Sequence, residues 1–145
     1  MGKTLKKYII IIIAIALIIS VSLYAWITYR KTPEYFIKSG AFVVVHNDIF
    51  NYVKLADYFA AGAHQNGENI TIVIYTVEGD PLVIKINFYD ELYMISYDSS
   101  NDRFGKNQNL NMKYNQKTVL TENGNTEYVF YNGDEPDFTY NPNAD

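Results

Sequence analysis

The sequence predicts an α+β fold in which an N-terminal transmembrane helix is followed by a small domain with one helix packed on a mostly antiparallel β-sheet. Three observations predict it. An apolar run from Tyr8 to Tyr29 holds no charged residue. The stretch from Tyr52 to Gln65 carries a helical period, and most of the chain beyond Gln65 alternates with a period of two between turn signals.

The apolar run comes first. At ~1.5 Å per residue a helix of this length spans about 33 Å, which matches a hydrocarbon core of about 30 Å. Tyr24, Trp26 and Tyr29 stand at one end and Tyr8 at the other, where amphipathic rings favour the headgroup level. Lys3, Lys6 and Lys7 outweigh Arg30 and Lys31, which predicts a cytoplasmic N-terminus and an extracellular C-terminal domain. A cleaved signal peptide is the competing reading, with Ser20 to Ser22 or Leu23 to Ala25 as the cleavage region. Against it, the apolar stretch continues through Trp26 and Ile27, longer than a signal peptide needs. A pilin-like helix lacks the required glycine and glutamate near its start.

Thr32 to Gly40 is expected to be a linker, with Pro33 marking the helix exit. Ala41 to His46 is a β-branched run suited to a buried strand, Asn47-Asp48 a turn signal and Asn51 a helix N-cap. Helical spacing places Tyr52, Leu55, Ala56, Phe59, Ala60 and Ala63 on one face, and Gln65-Asn-Gly67 ends that helix. From Asn69 to Val77 the residues Ile70, Ile72 and Ile74 alternate with Thr71, Val73 and Tyr75. Glu78-Gly-Asp-Pro81 is a turn before a strand over Leu82–Tyr89, and Asp90-Glu91 turns the chain into Leu92–Tyr97. After a polar loop from Asp98 to Gly105, one polar strand near Leu110, Met112 and Tyr114 leads into Lys117–Thr121. Asn123-Gly124 signals a hairpin to Glu127–Tyr131. The order is β-α-β-β-β-β-β. The chain divides into a cytoplasmic stub and anchor over 1–31, a linker over 32–40, the outer domain over 41–132 and a disordered acidic tail over 133–145.

Charge narrows the function classes. Five of the 12 basic residues flank the apolar run, leaving 7 against 16 acidic ones beyond Lys31, a net of about −9. Such a surface repels phosphate backbones and anionic headgroups, so nucleic acid is not an expected partner. The chain has no cysteine, which excludes disulfides, thiol catalysis and thiolate metal sites. No P-loop or dinucleotide-binding glycine pattern occurs, so no cofactor is expected.

The motifs that remain are a strand ending in His46, the run Tyr75-Thr-Val-Glu-Gly-Asp-Pro81, and the loop Asp98-Ser-Ser-Asn-Asp-Arg-Phe-Gly105. Over Ala41 to Gly133 the chain resembles the domain-of-unknown-function 4362 family, small lipoprotein-like surface proteins of Bacillus-type bacteria. The chain departs from that pattern in lacking a lipobox cysteine, so an apolar helix supplies the anchor, and in lacking the cysteines of the C-terminal strands. The resemblance implies a Gram-positive surface location and no activity.

Candidate chemistry gathers at the two loops. If the strands after Glu78 form a meander, Glu78, Asp80, Asp98, Ser100, Asp102 and Arg103 lie at one end of the sheet and are the expected binding residues. Turn chemistry explains the same residues, since Asp and Ser bond their own backbone and Arg103 can pair with a carboxylate. A calcium site is a further alternative, weakened by Arg103 where a calcium loop needs Gly and by Asn109 at its twelfth position. His46 with Asp48 suggests a general base, but no nucleophile motif accompanies it. His64 is expected to sit at the helix C-terminus, favoured by the helix dipole. The dense tyrosines of the strand region, Tyr89, Tyr93, Tyr97, Tyr114, Tyr128 and Tyr131, fit a sugar- or protein-binding face or ordinary sheet packing. The expectation is a non-catalytic, membrane-anchored binding module with a cell-surface protein or wall ligand as partner. A small cell-envelope hydrolase and a calcium-stabilised structural module are the alternatives.

Overall fold

A computed structural model describes residues 3–46, 48–60, 63–105, 108–122, 125–132 and 135–140. The apolar run forms α1 (Lys3–Tyr29), whose residues from Lys7 onward are all exposed, with Tyr29 touching the Tyr35 ring at its end. It is the one helix among the described residues long and apolar enough to cross a membrane. The expected linker folds as α2 (Pro33–Ser39). Thr32 caps it by accepting from the Tyr35 N–H, and Pro33 at its start loses no needed donor. At its end the N–H groups of Gly40 and Ala41 bond the carbonyls of Ile37 and Phe36, a Schellman closure with Gly40 at φ 86°.

Two sheets complete the domain. Strands β1 (Phe42–Val45), β2 (Asp48–Phe50), β3 (Asn69–Tyr75), β4 (Pro81–Tyr89), β5 (Leu92–Asp98) and β6 (Asn109–Tyr114) form a sheet in the order β2-β1-β3-β4-β5-β6. Only β1 and β3 pair parallel, joined through β2 and α3 (Tyr52–Ala60). Strands β7 (Gln116–Glu122), β8 (Asn125–Asn132) and β9 (Glu135–Tyr140) form an antiparallel sheet of their own. The single polar strand expected around Leu110 to Thr121 is therefore two strands. The chain leaves the first sheet at Asn115, whose N–H bonds Tyr131 of the second.

Alternation decides which face is covered. Phe42, Ile70, Ile72, Ile84, Ile86, Tyr93, Ile95 and Tyr114 point to one side, where Leu55 and Phe59 of α3 and Tyr128 and Phe130 of β8 close the main core. Phe59 stacks on Tyr128 with ring centroids 3.7 Å apart. On the opposite face α2 lays Phe36 and Ile37 over Val43, Val73 and Tyr75. Beyond Val83, which joins that cluster, no described element covers the rest of that face across β4 to β6.

Four expectations change. Asp48 begins a strand rather than completing a turn, and Asn47 lies outside the described residues. Asn51 does not cap α3; with φ 61° it donates through its side-chain amide to the carbonyls of Ile37 and Ala41, tying α2 to β1. On α3 only Leu55 and Phe59 are buried, while Tyr52 is exposed. Glu135–Tyr140 is a strand where composition predicts an unstructured tail, because it finds β8 as a partner. Residues 141–145 and the Asn123-Gly124 turn lie outside the described residues, though Glu122 and Asn125 pair on either side of that turn.

Candidate functional site

The meander places the two loops side by side. Asp98 ends β5 opposite Val83 near the start of β4, so the turn from Thr76 to Asp80 and the loop after Asp98 share one end of the sheet. Arg103 joins them. Its Nε lies 2.9 and 3.1 Å from the two Asp80 carboxylate oxygens, its backbone N–H bonds the same carboxylate, and its Nη2 donates to the Glu78 carbonyl. The bond from the Arg103 side chain, then that from its N–H, holds Asp80 below the usual carboxylate range.

The other carboxylates shape their own loop. Asp98 accepts from the Ser100 hydroxyl and N–H, which lower its pKa. Asp102 accepts from the N–H groups of Phe104 and Gly105. A Cβ at Gly105 would meet that carboxylate, so any other residue there makes the Asp102 side chain shift. Buried Ser99 locks the base of the loop, with its N–H and hydroxyl bonded to the carbonyl of Gln108 and its oxygen accepting from the Gln108 N–H. The six expected binding residues thus come together, but Asp80, Asp98 and Asp102 act as turn and clasp groups. Glu78 and Ser100 stay exposed. Among the described residues no three His, Cys, Asp or Glu side chains gather to hold a metal. His46 is exposed with φ 53°, and a hydrolase that paired it with Asp80 or Asp98 for acid–base work would find both carboxylates engaged elsewhere.

Beside these loops the bare sheet face forms a groove of about 630 Å³. Arg30, Tyr35 and Ser39 make one wall, and Thr71, Lys85, Ser96, Asp98, Asn109 and Asn111 make the floor. The groove is held to the end of α1, because the Tyr75 hydroxyl donates to the Lys31 carbonyl at 2.7 Å. The side chains of Thr71, Ser96, Asn101, Asn109 and Asn111 bond no other described residue. These groups carry no recognisable motif; only the alternation of β4, β5 and β6 could have assembled them.

A second cluster also escapes a reading of the sequence. His64 is not at a helix end but buried, its side chain 1% exposed, against the rings of Tyr58, Phe88 and Tyr93. Its Nδ1 lies 2.8 Å from Glu68 Oε2 and its Nε2 2.7 Å from Lys117 Nζ. Lys117 also donates to the carbonyls of Tyr58 and Phe59, and burial lowers its pKa. The bond from His64 lowers that of Glu68. Burial, with the nearby Tyr93 and Glu68, raises that of Tyr58. Lys117 therefore fastens β7 to the end of α3. Glu68 four residues after His64 is the one local signal; Lys117 is remote in sequence.

A family model described as Domain of unknown function (DUF4362) matches residues 40–131. No curated protein and no solved structure matches the chain. The match takes in β1 through most of β8, and so both loops, the whole groove floor and the His64 cluster. The chain belongs to this domain-of-unknown-function family.

Proposed function

Proceeding from that membership, we propose that the chain is a membrane-anchored, extracytoplasmic binding module without catalytic activity. Its ligand lies in the groove between α2 and the bare sheet face. Asp98 on the groove floor leads to Glu78, Asp80, Ser100, Asp102 and Arg103, whose loops form the rim at this end. The observation that carries this reading is the gathering of uncommitted polar side chains in one concave site: Thr71, Ser96, Asn109 and Asn111 bond no other described residue, and so can exchange water for a ligand. Arg103 and Asp80 support it by holding the rim in one shape before a ligand arrives, which lowers the ordering cost of binding. The anchor is supported by the uncharged run from Tyr8 to Tyr29 within α1, its exposed surface and the lysines at the start of the helix.

A photo-crosslinking residue at Asn109 of the full-length chain, expressed in cells, tests the groove. A discrete adduct is expected from Asn109 and not from a crosslinker at exposed Val53 on α3. Paired reversal of Lys85→Glu and Asp98→Lys should remove the adduct. Equal capture from both positions, or none from Asn109, would overturn the assignment.

A further inference from the structure

The groove is part of something longer. Ser96 and Asn111 also line a second hollow of about 220 Å³, together with Asn87, Met94 and Lys113. The two hollows make one strip across β4, β5 and β6. Strand register sets its rungs: Thr71, Lys85, Ser96 and Asn111 are successive cross-strand partners, and Asn87, Met94 and Lys113 are the next row. With strands about 4.8 Å apart, one four-strand rung is about 14 Å across, and rows repeat about every 7 Å along the strands.

We propose that this strip binds a linear, hydroxyl-rich glycan lying flat on the sheet. The inference rests on the groove being the binding site, and it names the ligand. Three properties of the strip select it. Asn and Ser side chains each both donate and accept, which is what rows of sugar hydroxyls require. Tyr35, held on the groove wall by Arg30 over its ring and by Tyr29 and Phe36, is half-buried and leaves part of an aromatic surface for the apolar face of a sugar. Charge suits a polymer with few anionic groups: Arg30, Lys85 and Lys113 stand against Asp98 on the strip, so sparse carboxylates are matched, while the rest of a chain that carries about −9 beyond Lys31 disfavours a dense polyanion. An extended peptide would instead add to a strand edge through main-chain bonds. The main-chain groups of β4 and β5 already pair on both sides, and a peptide added at the edge strand β6 would extend the sheet sideways rather than lie on this face.

The full-length chain in detergent micelles is titrated with soluble oligomers of N-acetylglucosamine, polyglutamate and polyphosphate, and it is incubated with purified wall glycan strands. Binding of the glycans alone is expected. Ser96→Leu with Asn111→Leu should weaken it at least about tenfold, since two hydrogen-bonding groups are lost, with the melting temperature unchanged. If that variant does not fold, Ser96→Ala with Asn111→Ala replaces it and is read the same way. Unweakened binding by the folded variant, or no glycan binding, overturns the proposal. Preference for polyglutamate or polyphosphate also overturns the glycan and leaves the groove standing. Failure of the Asn109 crosslink as well would remove the binding-module reading itself.

Discussion

At the scale of residues, side chains that look like ligands are first of all turn chemistry. Asp98 and Asp102 bond backbone N–H groups within their own loop, and Asp80 is held by Arg103. The consequence is a defined response to acid. Asp80, Asp98 and Glu68 all have folded pKa values below their ordinary 3.8, 3.8 and 4.5. The unfolded chain then binds more protons as pH falls through that window, so stability is present above it and lost below it. The melting temperature is expected to hold from about pH 7 to about pH 5 and fall towards pH 3. Asp80→Asn should lower it at neutral pH and flatten the acid limb. An acid limb identical to that of the wild-type chain would show that the Arg103 clasp contributes nothing.

The same scale shows what a sequence conceals. The pairing of Arg103 with a carboxylate was legible, because two turn motifs one strand apart must return to the same end of a meander. The place of His64 was not legible. Its partners are Glu68, four residues on, and Lys117, which only the docking of β7 against α3 brings near. One buried imidazole between an acid and an amine has no local signature.

At the scale of elements, legibility followed the strength of local signals. The alternation of Ile70 and Ile72 against Val73 and Tyr75 put each set in its own core. The helix α2 reads as a linker because it is only about two turns long, although Thr32, Pro33, Lys38 and Gly40 mark its ends. Strand β9 exists through its pairing with β8, which an acidic, proline-containing composition does not announce. The hairpin between β4 and β5 supports a quantitative prediction. Tyr89 pairs with Leu92, so Asp90 and Glu91 are its two loop residues, and both have positive φ, 53° and 62°. Such a turn favours glycine, and a left-handed conformation costs a non-glycine residue about 1–2 kcal/mol. Glu91→Gly is therefore expected to stabilise the domain by about 1 kcal/mol, read from the urea midpoint at unchanged slope. A lower midpoint would mean that the Glu91 side chain outweighs the strain.

At the scale of the whole molecule, the parts serve one arrangement. The main core lies under α3 and the second sheet, and α2 covers the far side of β1 and β3. That division leaves the polar face of β4 to β6 open, next to the end of α1. On the proposed reading this face is the ligand face and α1 the tether, and a wall ligand requires the domain to stand outside the cytoplasm. The chain has no cysteine of its own, so one introduced thiol reports its position without background. Val77, 87% exposed in the turn after β3, is the place for it. In intact cells, Val77→Cys in the full-length chain should react with a membrane-impermeant maleimide as fully as after permeabilisation. Labelling only after permeabilisation would put the domain in the cytoplasm and contradict the tethered module.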